Sequence, residues 1–171
     1  MNPRPHDVEG ELERLHEESF GWALGCCGYD HAEAEDVLQM TYMRVISGKA
    51  RYGGKSLFRT WLFGVIRLVA MENRRRDQRR DKLNVTAASQ LTLVTSDSAD
   101  ADIERSESSR ALLEAMEQLP ERQRQVLHLV FYEGLTVQEA GDVMGVSVGS
   151  ARTHYARAKD AMRAQLGGLL G

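Results

Sequence analysis

The chain has 171 residues, of which 42% are hydrophobic, and its 22 basic and 25 acidic residues sum to a net charge of −3. This composition supports one medium or two small packed domains and excludes a wholly disordered chain. The near-neutral charge argues, at face value, against nucleic-acid binding. No apolar run approaches the ~20 residues of a membrane span, and the polar, acidic start does not resemble a signal peptide. We therefore expect a cytoplasmic protein.

The charges are separated into blocks along the chain, and such blocks indicate binding partners. Residues 1–50 hold ten acids and four bases, whereas residues 51–82 hold three acids and ten bases. Residues 83–121 hold eight acids and two bases, and residues 122–171 hold four acids and six bases. The summed charge thus hides a strongly basic segment between two acidic ones.

The first predicted element is an amphipathic helix over residues 11–27, with Gly21 and Gly25 interrupting its pattern. The chain has two cysteines, Cys26 and Cys27, at the end of this segment. Adjacent cysteines rarely pair with each other, and their spacing matches no metal site. We expect two buried thiols in a reducing compartment, with a redox switch as the alternative.

Asp30 is expected to cap a second helix that ends near Ser47, before Gly48. Its inward positions are Val37, Leu38, Tyr42, Val45 and Ile46. A neighbouring stripe consists of Asp36, Gln39, Met40 and Met43. Exposed methionines beside polar groups suit an adaptable protein interface. The alternative is that both methionines lie at the edge of the core.

A glycine-containing loop over residues 51–55 precedes a third helix, which Ser56 is expected to cap. Its apolar positions are Phe58, Trp61, Leu62, Val65, Leu68 and Val69, and arginines crowd its end. Cations beside aromatic rings suit single-stranded nucleic acid, whose bases stack on rings. Alternatively, the aromatic residues belong to the core and the arginines form a solvated helix end.

Residues 84–102 are rich in Ser, Thr, Ala and Asp and are expected to form a flexible acidic linker. A second helical block starts near Ile103, with one stripe at Ala111, Leu112, Ala115, Met116 and Leu119. Pro120 and Glu121 are expected to open the next helix, which Gly134 ends. The apolar face of that helix consists of Val126, Leu127, Val130 and Phe131.

The final segment has the pattern of a helix-turn-helix. Thr136 is expected to cap a short helix that Gly145 ends, and Ser147 to cap a last helix reaching about Leu166. Its core positions are Val148, Ala151, Tyr155, Ala158, Met162 and Leu166. The opposite face carries Gly149, Ser150, Thr153, Ala156 and Arg157, with Arg152 and His154 at its flanks. Small, hydroxyl and cationic side chains suit a major groove, although an ordinary surface helix is the alternative.

Two sets of motifs resemble one protein family. The segments AEDVLQMTYMR at 34–44 and FRTWL at 58–62, followed by the arginine cluster, are similar to domain two of bacterial sigma factors. The segments LPERQRQVL at 119–127, EGLT at 133–136 and MGVSVGS at 144–150 are similar to sigma domain four. The length and the two-domain layout resemble the extracytoplasmic-function, or group four, sigma factors.

The resemblance implies an all-α fold with domain two at 1–82, a flexible acidic linker at 83–104 and a helix-turn-helix domain four at 105–171. It implies that core RNA polymerase is bound through the beta-prime clamp helices by Glu35, Asp36, Gln39, Met40 and Met43. Residues implied to recognise and melt the −10 element are Arg51, Tyr52, Gly53, Lys55, Ser56, Arg59, Trp61, Arg67, Asn73, Arg74, Arg75 and Arg76. Residues implied to read the −35 element are Ser147, Val148, Gly149, Ser150, Arg152, Thr153, His154 and Arg157.

The other implied partners are promoter DNA, the beta flap, which meets residues near 119–131, and an anti-sigma factor. No catalytic residue, metal or cofactor is expected. The chain departs from the family pattern at Leu68, Gly141, Ala151 and His154, which leaves its promoter sequence open. A conventional helix-turn-helix regulator with a ligand-sensing domain is one alternative class. An enzyme acting on nucleic acid is the other, although no paired carboxylates or metal site support it.

Overall fold

The computed structural model describes residues 7–84 and 107–167, and all regular structure in these two ranges is helical. The first domain contains α1 (Val8–Arg14), α2 (His16–Cys26), α3 (His31–Ile46) and α4 (Phe58–Asn84). The second contains α5 (Glu107–Glu117), α6 (Glu121–Leu127), a π-helix (His128–Tyr132), α7 (Val137–Met144) and α8 (Val148–Gly167). The predicted all-α class is confirmed. None of these helices has the length and apolar character needed to cross a bilayer.

Short-range hydrogen bonds set the helix starts that the sequence predicts. The Asp30 carboxylate accepts a hydrogen bond from the Glu33 amide at 3.0 Å. Thr136 and Glu139 form a reciprocal capping box at the start of α7. At α8, the Ser147 hydroxyl accepts from the amide three residues later at 3.1 Å. Each cap satisfies an amide that has no partner within the helix and contributes about 1 kcal/mol.

The N-terminal segment differs from the single predicted helix over residues 11–27. The helix breaks at Leu15 (φ −93°, ψ 6°), whereas Gly21 and Gly25 lie inside α2. Leu15 is almost completely buried, and the turn at this residue lets α1 and α2 both pack against α3. Tertiary packing therefore places the break, and the glycines do not.

The start of one helix and the end of another also differ from the prediction. Helix α4 begins at Phe58, and the Ser56 hydroxyl donates to the Leu57 carbonyl at 3.3 Å instead of capping the first turn. The predicted helix before Gly134 changes at His128 from α-helical to π-helical hydrogen bonding. Most of the predicted linker lies outside the described residues, while Leu83 and Asn84 are the last residues of α4.

The main hydrophobic core joins the two domains. Trp22 of α2 is fully buried, and its ring centroid lies 6.1 Å from that of Phe63 and 5.4 Å from that of His128. The Trp22 indole donates a hydrogen bond to the Phe63 carbonyl at 3.0 Å. A side chain at Gly25 would place its Cβ only 3.0 Å from Nδ1 of His128. This close approach explains why residue 25 is a glycine, which has no Cβ.

Four apolar residues predicted to face inward are exposed instead. Helical spacing assigns a residue to a face but does not locate the edge of the packed region, and all four lie beyond that edge. They are Ile46 (58% exposed), Leu68 (56%), Phe131 (69%) and Val148 (37%).

The turn between α7 and α8 brings two helices unusually close. Gly145 has a left-handed backbone (φ +66°), which glycine adopts without strain. At Gly141, a Cβ would lie 3.2 Å from the Val146 carbonyl oxygen and 3.4 Å from the Ala151 Cβ. Two of the departures from the family pattern, Gly141 and Ala151, are thus in contact with each other. Together they set the approach of α8 to α7.

Candidate functional site

The first candidate surface is the exposed N-terminal half of α8. Ser147, Val148, Gly149, Ser150, Arg152, Thr153 and Arg157 are exposed, and His154 is half-buried. The Ser147 hydroxyl donates to that of Ser150 at 3.0 Å, and the Thr153 hydroxyl donates to the Gly149 carbonyl at 3.1 Å. The hydroxyl groups of Ser147, Ser150 and Thr153 thus have defined positions on the part of the chain that also carries Arg152 and Arg157. All eight predicted residues lie within three turns of one helix.

The second candidate surface is the loop before α4. Tyr52 packs its ring on Phe58 and Trp61, at centroid distances of 5.3 and 5.4 Å, and its hydroxyl donates to the Ser56 carbonyl. Gly53 and Lys55 are exposed on this loop, and Arg51 donates to the Gly48 carbonyl at 3.2 Å. Three rings thus hold the loop at its base, and the cations Arg51 and Lys55 are exposed.

The five arginines of α4 that were predicted to bind the −10 element divide into two groups. Arg75 and Arg76 are exposed. The other three, Arg59, Arg67 and Arg74, are partly buried and contact the second domain. Burial lowers the pKa of Arg67 below its usual value, but a guanidinium this basic still carries its charge at neutral pH. Sequence reasoning grouped all five as one basic surface, and the structure shows that they face different neighbours.

The third candidate surface is a stripe on α3. Glu35, Asp36, Gln39 and Met43 are exposed and Met40 is half-buried. Met43 is 65% exposed, and Ile46, exposed one turn further on, extends the apolar part of the stripe. We name this set, from Glu35 to Ile46, the α3 stripe. A polar groove of about 520 Å³ runs beside it towards α4 and is also lined by Asn73 and Arg76.

A further apolar groove lies in the second domain. Its volume is about 560 Å³, and its walls come from α5, α6, the π-helix and α8. Exposed rings of Phe131 and Tyr132 stand at its edge, and Lys159 and Arg163 add positive charge. We call it the domain-four groove, and its shape and lining suit an apolar helix with acidic flanks.

Two family models match the chain in the order that its motifs predict. Residues 12–80 match Sigma-70 region 2, and residues 109–162 match Sigma-70, region 4. The chain belongs to the sigma-70 family of RNA polymerase sigma factors. The resemblance seen in the motifs is therefore confirmed.

Relatives and solved structures agree with this family. The sigma factor CarQ of Myxococcus xanthus is 34% identical over 81% of this chain and 77% of its own length. The sigma-H factor of Pseudomonas aeruginosa is 30% identical over 83% of this chain and 77% of its own length. RpoE of Bartonella quintana, solved with the anti-sigma factor NepR, has the same fold, with a TM-score of 0.73 at 19% identity over 94% of this chain and 97% of that one.

This sigma factor is of the extracytoplasmic-function type. Sigma factors are transcription initiation factors that bind core RNA polymerase and direct it to promoters. Within residues 7–84 and 107–167, no cluster of three or more His, Cys, Asp or Glu side chains is arranged to hold a metal ion. A ligand-sensing regulator and a nucleic-acid enzyme, the two alternative classes, find no support in the family matches.

The two cysteines of this sigma factor are buried thiols. Cys26 and Cys27 are 3% and 6% exposed and unpaired with each other. Burial raises the pKa of Cys27 to about 12 and raises the pKa of Cys26 still further. Because the thiolate is the reactive form, both side chains are poor nucleophiles in the folded protein.

We expect the folded sigma factor to react with iodoacetamide at pH 8 at least about 100-fold more slowly than the urea-unfolded chain. The rate is measured by mass spectrometry of quenched samples, with glutathione in both buffers as the control for reagent reactivity. Equal rates for folded and unfolded protein would contradict the buried-thiol interpretation and favour a redox switch.

Sequence reasoning missed the acidic and polar residues that contact the α4 arginines. These are Glu121, Gln125 and Glu133, which lie 47 to 74 residues away from their partners in the chain. In the sequence, these three residues are marked only by lying within the motifs assigned to domain four, at 119–127 and 133–136. Spacing along the sequence does not reveal a contact over such a separation.

Proposed function

We propose that this sigma factor reads the −35 element with the exposed half of α8. The carrying observation is the match to both sigma-70 regions, with α8 at the end of the second. Arg152 and Arg157 are exposed on a helix whose other face packs in the domain, so they are free to reach guanine edges. The hydroxyl groups of Ser150 and Thr153 suit contacts to phosphate.

The loop over residues 51–56 and the basic face of α4 form the proposed −10 surface. The loop contains Arg51, Tyr52, Gly53, Lys55 and Ser56, of which Arg51, Gly53 and Lys55 are exposed. It would hold a base that leaves the stack. The other members, which would hold the melted strand, are Arg59, Trp61, Arg67, Asn73, Arg74, Arg75 and Arg76. A row of cations along a helix neutralises successive phosphates of one strand.

The α3 stripe is the proposed contact with the beta-prime clamp helices. Its exposed methionine and isoleucine offer adaptable apolar area, and its acids and Gln39 offer polar contacts at the rim. The Arg44–Glu72 ion pair joins α3 to α4. The hydrogen bond from Arg44 lowers the pKa of the Glu72 carboxyl group.

Replacing Asp36 and Met40 together with alanine is expected to weaken binding to core polymerase about tenfold or more, because both contribute to one contact surface. Affinity is measured by fluorescence anisotropy of the labelled sigma factor titrated with core. Glu17→Ala, an exposed acid of α2 outside the stripe, serves as the control and retains the parent affinity. An unchanged affinity in the double variant would contradict the assignment of the α3 stripe to polymerase binding.

The domain-four groove is the proposed site for the beta flap. The groove is apolar and flanked by Lys159 and Arg163, which suits an amphipathic segment of the polymerase. Residues near 119–131, which the family resemblance assigns to this contact, supply part of its lining. Domain two at 1–82, the linker at 83–104 and domain four at 105–171 remain the proposed boundaries.

Control by an anti-sigma factor in the cytoplasm completes the proposal. Two sigma factors with the same fold, RpoE and CnrH, were solved with NepR and with the cytosolic domain of CnrY, respectively. The CnrH structure has a TM-score of 0.61 at 20% identity and covers 93% of this chain and 87% of that one. The family resemblance also points to stress or envelope-signal genes as targets.

In vitro transcription with reconstituted core polymerase on a promoter library tests the whole assignment. We expect initiation that depends on both core and this chain, from promoters sharing −35 and −10 sequences. Tight binding to duplex DNA by the chain alone, together with failure to associate with core, would overturn it.

A further inference from the structure

The two helices of the helix-turn-helix meet at Gly141, which lies inside α7. A Cβ added at Gly141 would lie 3.2 Å from the Val146 carbonyl oxygen and 3.4 Å from the Ala151 Cβ. Non-bonded atoms pack best at about 3.5–4.0 Å, so an alanine here would push both neighbours away. A glycine inside a helix lowers stability relative to alanine. The close approach of α8 gives a physical reason for a glycine at this position.

The atoms that face Gly141 belong to the start of α8 and are held by backbone hydrogen bonds. The Val146 amide donates to the Gly141 carbonyl at 3.0 Å, and the Ser147 carbonyl accepts from the Ala151 amide at 2.9 Å. The Ser147 hydroxyl also caps α8 by accepting from the Ser150 amide at 3.1 Å. Because the neighbours are backbone atoms and a Cβ, a displacement at Gly141 is passed to the first turn of α8.

The other half of α8 is anchored in a separate apolar cluster. Ala158 and Met162 are buried there, and they share the cluster with Met116 of α5 and Leu127 of α6. Ala158 lies about 10 Å along the helix axis from Ala151. A shift of a few tenths of an ångström at Ala151 would therefore tilt α8 about this anchor. The tilt would move the first turn of α8 by roughly 0.5 Å.

A displacement of this size affects how a helix reads base edges. The groups of a recognition site must be held within about 0.5 Å of the productive geometry, since hydrogen bonds tolerate little change in distance. Ser150 and Arg152 are exposed on the part of α8 that would move, whereas Arg157 lies beside the anchor and would move little. The seating of α8 on α7 thus selects the base pairs that these side chains fit.

We propose that Gly141 is a positioning residue for −35 recognition, because it seats the first turn of α8 through its contacts with Val146 and Ala151. The inference rests on the proposed −35 role of α8. Gly141 is buried, so it acts through the position of Ser150 and Arg152 and not by touching DNA. It determines which −35 sequences this sigma factor prefers.

The test measures −35 preference directly. Core polymerase reconstituted with each full-length sigma factor transcribes a library in which the −35 element is randomised and a barcode in the transcript identifies it. A premelted fork that carries only the −10 region reports activity that does not depend on the −35 element. The test variant is Gly141→Ala. The matched control is Gly10→Ala, also within a helix, where the added methyl group meets only the exposed side chain of Asp7.

We expect Gly141→Ala to lower transcription from the parent's preferred −35 sequence about 3- to 10-fold relative to other −35 sequences, and so to change their rank order. Transcription from the fork is expected to match the parent, and Gly10→Ala to keep the parent's rank order. A loss shared equally by all −35 sequences would overturn the inference, because lowered stability alone has that effect.

The variant Arg152→Ala/Arg157→Ala separates this inference from the proposed function. If that variant loses −35 preference while Gly141→Ala keeps the parent's rank order, α8 reads the element and the positioning inference is wrong. If the double arginine variant also keeps the rank order, the −35 role of α8 fails and the inference fails with it.

A second substitution covers the case in which circular dichroism shows that Gly141→Ala folds poorly. Ala151→Gly removes the other side of the contact without adding an atom. We expect it to change the rank order of −35 sequences as well, because α8 loses the side chain that spaces it from Gly141. An unchanged rank order in this variant would overturn the inference.

Discussion

Trp22→Ala is expected to destabilise the protein by about 3–5 kcal/mol. The indole is fully buried between Phe63 and His128, so truncation opens a large cavity in the core that joins the domains. It also leaves the Phe63 carbonyl without the indole hydrogen bond. Domains of this kind have a total stability of only about 5–15 kcal/mol, so the loss is a large part of it.

Urea unfolding followed by circular dichroism measures this change, since the signal does not depend on tryptophan fluorescence. Trp22→Phe is the matched variant, because it keeps most of the packing and removes the N–H donor. We expect Trp22→Phe to lower the free energy of unfolding by about 1–2 kcal/mol. Equal midpoints for Trp22→Ala and the parent would mean that the shared core contributes little to stability.

Replacing Arg152 and Arg157 together with alanine is expected to reduce initiation from a −35-dependent promoter about 30-fold or more. An arginine that makes a bidentate contact with a base edge contributes about 1–3 kcal/mol to discrimination against the wrong base. Both arginines are exposed on α8. Binding to core polymerase is expected to stay at the parent level, because the α3 stripe and the domain-four groove are unchanged.

Two templates separate reading of the −35 element from other effects. The first is a full duplex promoter selected from the library, and the second is a premelted fork that carries only the −10 region. The double variant is expected to fail on the first and to match the parent on the second. Arg110→Ala, an exposed arginine of α5, controls for loss of positive charge. Equal losses on both templates would show that α8 does not read the −35 element.

The distribution of charge acquires a physical meaning in the folded chain. The net charge of −3 leaves the free sigma factor with little general attraction to DNA, since that attraction grows with the number of phosphates neutralised. Acids of the second domain lie against the basic α4, as in the Arg74–Glu121 pair. Specific DNA contact would therefore depend on the polymerase.

Local sequence accounts for most of the secondary structure. Asp30, Thr136 and Ser147 cap their helices through amides three residues later, and Gly145 ends α7 in a left-handed conformation. These interactions span only a few residues, so the sequence alone was enough to predict them. The same holds for the motif order, which the family matches confirm.

Features that depend on distant residues needed the folded structure. The helix break at Leu15 and the exposure of Leu68 and Phe131 depend on where neighbouring helices end. The pairing of Arg59 with Glu133 joins residues 74 apart in the chain. Helical periodicity specifies which side chains share a face, whereas packing of one helix on another selects which part of that face is covered. The sequence therefore predicted an all-helical sigma factor and proposed its DNA-binding residues. Tertiary packing determined that three of those residues, Arg59, Arg67 and Arg74, contact the protein's own second domain.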